Sequence, residues 1–149
     1  MEISYSLNTT SSNTIYNYLI EVADSFIPNL NERVVNIKDY VEKIKSKAII
    51  FEAKQKDHLV GMLAAYFNDH NSNIAFITTM SVAKLYQNKG IAKSLMLEAI
   101  KYGKEHKFNK IRLEVNKRNE KAIVFYKIMN YSITNISYHN EFIVMELCI

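Results

Sequence analysis

The sequence predicts an α/β fold in which a mixed central sheet of about seven strands is flanked by about four helices. Segments with alternating apolar residues, typical of strands, are interspersed with segments whose apolar residues recur at i, i+3, i+4 and i+7, typical of helices. Along the chain these patterns give the order β-α-α-β-β-β-α-β-α-β-β. The 149 residues suit one domain with its own core and are few for two, so we expect a single domain over residues 1–149.

The first half of the chain predicts one strand, two helices and three further strands. Alternation in residues 1–7 gives the first strand, and an apolar stripe after the caps at residues 11–13 gives a helix that Pro28 ends. A second helical stripe follows Asn36. The three strands are Ala48 to Lys54, Leu59 to Phe67, which is apolar on both faces like a central strand, and Ile74 to Val82.

The second half predicts two helices and three strands. Gly90 opens a long amphipathic helix that ends near Gly103. In the strand over residues 110–115, Arg112 and Glu114 share the polar face. Apolar residues at positions 122, 125, 126 and 129 predict another helix, and two short strands over residues 131–137 and 141–147 turn at His139-Asn140.

Composition and apolar run lengths exclude several classes of protein. Apolar residues make up 48% of the chain and charged residues 23%, as in ordinary folded proteins. The longest apolar run, Leu59 to Phe67, is less than half of the roughly 20 residues that a membrane span needs. The start MEISYSLN lacks the basic and apolar parts of a signal peptide. We therefore expect a cytoplasmic protein with no membrane partner.

The charged and metal-ligating residues show no pattern for nucleic acid or metal. The net charge is +4, but the lysines that dominate the basic residues are scattered, with no block of five like charges. Cys148 is the only cysteine, and with four histidines it shows no zinc spacing. We expect no nucleic-acid partner, no metal and no intrachain disulfide.

The most informative segment joins a strand to a helix and reads Val82-Ala-Lys-Leu-Tyr-Gln-Asn-Lys-Gly-Ile-Ala92. Backbone N–H groups at a helix start have no partner within the helix, and the helix dipole adds positive potential. Gly90 and Ala92 keep the backbone clear of side chains, and Gln87, Lys89 and Lys93 add an amide and charge. The segment predicts an anion cradle, with an ordinary capped loop as the alternative. Its spacing fits neither a P-loop nor a dinucleotide fingerprint.

This segment resembles the acetyl-CoA signature of the GNAT superfamily, the GCN5-related N-acetyltransferases. Their pyrophosphate loop reads Arg/Gln-x-x-Gly-x-Gly/Ala, which Gln87, Gly90 and Ala92 match, and Val82 matches the usual valine at the end of the family's fourth strand.

A second stretch, about 29 residues after Gly90, resembles the family motif Asn-x-x-Ala-x-x-hydrophobic-Tyr-x-x-x-Gly-Phe. Asn119, Ala122, Phe125 and Tyr126 match this motif. Asn130 and Tyr131 stand in place of the usual Gly and Phe, and Asn is the non-glycine residue that best tolerates positive φ.

The resemblance implies a GNAT fold and acetyl-CoA as co-substrate. The backbone of Met80, Ser81 and Val82 is expected to pair with the pantetheine arm like an added strand, and Asn119 to bond the pantetheine, to cap the next helix, or both. The residues expected to hold the diphosphate are Gln87, Asn88, Lys89, Gly90, Ile91, Ala92 and Lys93.

Two catalytic residues follow from the same resemblance. Tyr126 falls where the family's general acid lies, and a phenol stays protonated at neutral pH, although the position also suits a core tyrosine. Glu114, in Leu113-Glu114-Val115, matches a run in enzymes that acetylate protein N-termini and is the best candidate for the base. Partial burial would help it take a proton. The alternatives are an ion pair with Arg112 or a lysine, and water acting as the base.

The acceptor is expected to contact the connection between the first two helices, residues 24–33, whose aromatic, acidic and basic groups suit a small polar amine. An amino-sugar is one candidate, and a free amino acid or a polyamine remains open. The alternatives are a protein N-terminus, or a module that binds acyl-CoA without turnover. The chain is expected to act as a monomer or a homodimer.

Overall fold

The computed structural model describes residues 2–136 and 141–149 of the chain. The strands are β1 (Ser4–Leu7), β2 (Ile49–Gln55), β3 (His58–Tyr66), β4 (Ile74–Val82), β5 (Lys110–Asn116), β6 (Ser132–Ile136) and β7 (Phe142–Cys148). The helices are α1 (Ser12–Val22), α2 (Leu30–Arg33), α3 (Ile37–Lys47), α4 (Ile91–Glu105) and α5 (Glu120–Ile128). Two 3₁₀ turns lie at Ala23–Ser25 and Lys84–Tyr86.

All seven strands belong to one mixed sheet in the order β1-β2-β3-β4-β5-β7-β6. Neighbouring strands are antiparallel except β4 and β5, which are parallel and joined by the crossover helix α4. The predicted seven-stranded mixed sheet with helices on its faces is confirmed.

Helices cover the sheet on both faces. Leu95, Met96 and Ala99 of α4 pack in one cluster of buried residues with Leu63 and Ile111 of the sheet. On the other face, α1 and α3 form a second cluster with Ile50, Met62 and Ala64. β3 contributes to both clusters, as its apolar faces predicted.

The predicted end of the first helix was wrong, and the predicted end of the long helix was two residues short. α1 ends at Val22 rather than at Pro28, because the chain turns at Ala23–Ser25 and starts the short helix α2 at Leu30. α4 continues through Gly103 to Glu105. A Cβ on Gly103 would lie 2.6 Å from Cδ1 of Ile149, so this glycine permits close packing and does not end the helix.

The predicted turn at His139-Asn140 lies outside the described residues. Within the described ranges, each helix is too short or too polar to cross a membrane.

A buried carboxylate holds the connection between β1 and α1. Glu52 is 1% exposed and accepts hydrogen bonds from the Ser6 hydroxyl, the hydroxyl and amide of Thr9, and the amide of Thr10. Burial by itself would raise the pKa of Glu52, but these hydrogen bonds outweigh it and hold the pKa below the ordinary value of a glutamate. Glu52 is therefore a structural anchor of the fold.

We expect Glu52→Gln to lower the free energy of unfolding by about 2 kcal/mol near neutral pH, because the new NH₂ group faces hydrogen-bond donors. The pKa of Glu52 is lower in the folded state, so its contribution is present above the unfolded-state pKa and is lost as pH falls through the folded-state pKa. Denaturant unfolding at about pH 7 and about pH 3 measures this. Glu42→Gln, on an exposed face of α3, is the control, and an equal penalty at both pH values would contradict the prediction.

Candidate active site

The sheet opens where β4 and β5 part. These parallel strands pair only at their starts, through residues 74–76 and 110–112. Beyond this point β4 remains paired with β3 as far as Val82, and β5 with β7 as far as Asn116. The facing edges of β4 and β5 therefore present backbone N–H and C=O groups with no strand partner, and an extended ligand can pair with them like an added strand.

A β-bulge redirects β4 at this opening. Ala65 of β3 pairs with Ile77 and Ala64 pairs with Thr79, which leaves Thr78 without a partner on β3. A bulge bends the strand that carries it and increases its twist. We attribute the parting of β4 from β5 to this bend.

A cavity of about 980 Å³ occupies the opening. Its lining brings together all but one of the residues that the two sequence motifs predicted for the site: Met80, Ser81, Val82, Gln87, Asn88, Gly90, Ile91, Ala92, Lys93, Glu114, Asn119 and Tyr126. The exception is Lys89, whose exposed side chain is not part of the lining. Lys84, which the sequence pattern did not single out, lines the cavity instead.

The start of α4 presents free donors to this cavity. Gly90 is the N-cap with φ +84°, and no side chain caps the helix, unlike α1, α3 and α5. The first intrahelical hydrogen bond of the N-terminal turn runs from Ser94 N to Gly90 O at 3.0 Å, so the N–H groups of Ile91 and Ala92 have no helical acceptor. A Cβ on Gly90 would meet no protein atom within 4 Å, so the space over these donors is open to an anion.

Gln87 has a bond within the loop besides its predicted place at the cradle. Its amide nitrogen donates one N–H to the Val82 carbonyl oxygen at 3.0 Å, which braces the turn between β4 and α4. Gln87 also lines the cavity, and the second N–H of its amide is not used by this bond. The backbone N–H groups of α4, which need no side chain, remain as the main donors of the cradle.

Tyr126 combines a buried ring with a place in the cavity wall. The residue is 9% exposed, its ring contacts those of Phe125 and Tyr131, and its hydroxyl has no hydrogen-bond partner among residues 2–136 and 141–149. Burial raises the pKa of Tyr126 to about 12, although the positive charge of Arg33 opposes the shift. The phenol is therefore protonated at neutral pH and available as a donor.

The other two predicted side chains flank Tyr126. Asn119 caps α5 by accepting a hydrogen bond from Ala122 N at 3.3 Å, and it also lines the cavity. Glu114 lines the cavity but is solvent exposed, so the partial burial expected of it is not found. Arg112 pairs with Glu146 at 2.6 Å, which rules out the alternative ion pair between Arg112 and Glu114.

The far wall of the cavity comes from α1, the connection to α3, and the bulge. It includes Glu21, Asp24, Phe26 and Arg33, in agreement with the segment expected to contact the acceptor.

The hydroxyls of two tyrosines, on α1 and α3, contact residues of β4 that line the cavity. Tyr18 meets the Ser81 hydroxyl at 2.9 Å, and Tyr40 meets that of Thr78 at 2.8 Å. Burial raises the pKa of Tyr40 to about 12, although its hydrogen bond with Thr78 opposes the shift. In the sequence, a tyrosine stands among the aliphatic residues on the apolar stripes of α1 and α3. This was the signal that could have predicted the two hydroxyl contacts with β4.

The comparisons with known proteins agree with this geometry. The model of the Acetyltransferase (GNAT) family matches residues 14–131. A comparison with curated protein sequences gives no significant match. Similar solved structures include the ribosomal-protein-S18-alanine N-acetyltransferase of Escherichia coli, with TM-score 0.77, 16% identity, and coverage of 99% of this chain and 94% of that one.

Two further structures share the fold over nearly the full length of both chains. The PaiA N-acetyltransferase of Thermoplasma acidophilum, solved with coenzyme A, has TM-score 0.75, 20% identity and coverage of 100% of each chain. Arabidopsis thaliana NAA60, solved with a bisubstrate analogue, has TM-score 0.75, 16% identity and coverage of 99% of this chain and 98% of that one.

We expect Gly90→Val to weaken binding of coenzyme A roughly 10-fold or more, because the side chain would cover the N–H groups at the start of α4. Titration calorimetry measures the affinity. Gly90→Ala is the control for positive-φ strain, part of which it shares with Gly90→Val, and with its smaller side chain it should bind more tightly. Wild-type affinity in a folded Gly90→Val protein would disprove the cradle.

Proposed function

This chain belongs to the acetyltransferase (GNAT) family and is an acyltransferase, and we propose that it moves the acetyl group of acetyl-CoA to the primary amine of a small polar acceptor. The observation that carries the proposal is one continuous cavity with two different walls. The open edge of β4 and the start of α4 form a wall suited to the pantetheine and diphosphate. The α1–α3 connection forms a wall suited to the acceptor.

The fit of acetyl-CoA is supported by groups that the fold leaves without partners. The edge of β4 that faces β5 can pair with the amides of the pantetheine, and α4 offers uncapped N–H groups where Gly90 leaves space for phosphate. Ala83 N donates to Val60 O on β3, so in the alternating antiparallel pattern Ser81 also faces β3, and the backbone groups of Met80 and Val82 point toward the opening. The Val82 carbonyl, which accepts from Gln87, keeps a second lone pair.

Both substrates are bound together and the amine attacks directly. The amine nitrogen forms the bond to the acetyl carbon, the carbon–sulfur bond breaks, and coenzyme A leaves as the thiolate. A backbone N–H on the open edge of β4 stabilises the developing oxyanion. The only cysteine of the sequence, Cys148, is exposed near the end of β7 and is not part of the cavity wall, so no thiol is placed to carry the acetyl group.

Tyr126 supplies a proton or a hydrogen bond to the departing sulfur. Its pKa of about 12 is about 3.5 units above that of a free thiol, so complete transfer to a solvated thiolate would cost about 5 kcal/mol. Inside the cavity the sulfur also loses solvent. This raises the pKa of the thiol and brings it closer to the pKa of Tyr126. The hydroxyl therefore begins as a hydrogen-bond donor and completes the transfer as the carbon–sulfur bond breaks.

Glu114 is proposed as the base that receives the proton of the attacking amine, directly or through water. It is the acidic residue that the inner strand β5 contributes to the cavity, and its side chain is free of hydrogen bonds and ion pairs in the described ranges. Its exposure favours a relay through water over direct contact.

Release of coenzyme A, followed with a thiol reagent over a panel of amines, tests the reaction. The panel contains amino acids, amino-sugars, polyamines and peptides with free N-termini, so it separates a small acceptor from a protein N-terminus. Coenzyme A binding without release on any amine would leave the chain as a module that binds acyl-CoA.

We expect Tyr126→Phe to lower kcat roughly 10²-fold, because the variant keeps the buried ring and loses the hydroxyl. Binding of acetyl-CoA should change little, because the hydroxyl acts mainly in the transition state. Steady-state kinetics and calorimetry measure the two effects. Tyr131→Phe is the matched control, since it removes a hydroxyl from the adjacent buried ring outside the cavity. An unchanged kcat in Tyr126→Phe would mean that the hydroxyl has no part in catalysis and that Tyr126 only packs in the core.

We expect Glu114→Gln to lower kcat/KM most at about pH 6.5 and less at about pH 9, where more of the amine is already neutral. A pH profile of kcat/KM for the variant and the wild type measures the difference. Glu105→Gln, at the exposed end of α4, is the control. If the ratio of kcat/KM between the variant and the wild type is constant over this pH range, Glu114 is not the base and water takes that role.

A further inference from the structure

Given the proposed acetyl transfer, we infer that the acceptor is a small amine that also carries a carboxylate, as amino acids do, and that Arg33 binds this carboxylate. The inference rests on where the charged groups stand around the cavity. Four cationic side chains line it: Arg33, Lys84, Lys93 and Lys121. The three lysines belong to the loop after β4 and to the starts of α4 and α5, on the coenzyme side, whereas Arg33 comes from the acceptor wall.

Arg33 is exposed at the cavity wall, where it contacts Phe26, and its charge is unpaired within the described residues. Its guanidinium carbon lies 5.5 Å from the centre of the Phe26 ring, and Phe26 is itself buried in the cavity wall. In the described part of the chain, no carboxylate forms an ion pair with Arg33. An arginine stacked on a ring keeps its planar set of N–H donors free for a carboxylate, which it binds in two parallel hydrogen bonds.

The charge of Arg33 reaches the reaction centre. It lowers the pKa of Tyr126 on α5 and that of Tyr40 on α3, against the larger effect of burial in both. Arg33 and Tyr126 also line the same cavity, so an anion bound to Arg33 shares that cavity with the acetyl group that Tyr126 serves. This favours a small acceptor.

The acidic residues of the acceptor wall favour binding of the amine group of such a molecule. Glu21 and Asp24 line the cavity, and one oxygen of Asp24 accepts a hydrogen bond from the Asn29 amide at 2.8 Å. Their charges attract the ammonium form in which an amine arrives at neutral pH. Opposite charges on one wall match a zwitterion better than they match a polyamine or an uncharged amino-sugar.

Matched substrate pairs test the inference. Each pair consists of a common amino acid and its carboxamide, and both are tested as acceptors. The proteins compared are the wild type, Arg33→Gln and Arg33→Lys. Lys38→Gln, at an exposed position of α3, is the control. We expect the acid to exceed its amide by 10-fold or more in kcat/KM for the accepted side chains. Arg33→Gln should lower kcat/KM of the acid roughly 10- to 100-fold and that of the amide much less, since the amide loses only the effect of Arg33 on Tyr126. Arg33→Lys should restore part of the difference.

Several results would overturn the inference and leave the acetyltransferase standing. These are turnover of the amides equal to that of the acids, an equal loss on both in Arg33→Gln, and a raised KM for acetyl-CoA in that variant, which would assign Arg33 to the coenzyme. Turnover of neutral amines or polyamines with none of the amino acids would do the same. Failure to release coenzyme A with any amine would overturn the proposed function together with the inference.

Discussion

The parting of β4 from β5 is the constraint on which the candidate site depends. A sheet normally satisfies the N–H and C=O groups of inner strands through their neighbours, and groups left unpaired in the interior are costly. Here two inner strands share only three residue pairs before they separate. The bulge at Thr78 sets the direction of β4, while β5 remains paired with β7 over its full length. The fold thus keeps a line of unsatisfied backbone groups that an extended polar ligand can satisfy.

The same geometry explains the missing cap of α4. The other helices of eight residues or more have side-chain caps, from Ser11, Asn36 and Asn119. α4 follows directly from β4, so its free N–H groups face the opening, and Gly90 leaves the space above them empty. Gly61 lets the helix lie close to the sheet, since a Cβ there would be 3.2 Å from Cγ2 of Ile91. The uncapped start of α4 is less stable than a capped one, and an anionic ligand bound to its free N–H groups restores this stability.

Burial and charge act in opposite directions on the hydroxyls of the cavity. Burial raises the pKa of Tyr126, Tyr40 and Tyr18, so all three remain donors at neutral pH. Arg33 opposes this effect at the first two, which makes it the residue that links the acceptor wall to the reaction centre electrostatically. Glu52, by contrast, is a buried ion whose hydrogen bonds are supplied by the β1–α1 connection, and it serves the fold.

Periodicity and two motifs were enough to predict the order of strands and helices, the position of the anion cradle and the candidate acid Tyr126. These features are local, since they depend on residues within about one helix or one loop of each other. The sequence could not determine the bond from Gln87 to Val82, the exposure of Glu114, or the absence of Lys89 from the cavity lining. Each of these depends on contacts or solvent access that arise only when distant elements pack. Arg33 shows the same limit, because it lines one cavity with residues of α1, β4 and α5 only once these distant elements pack together.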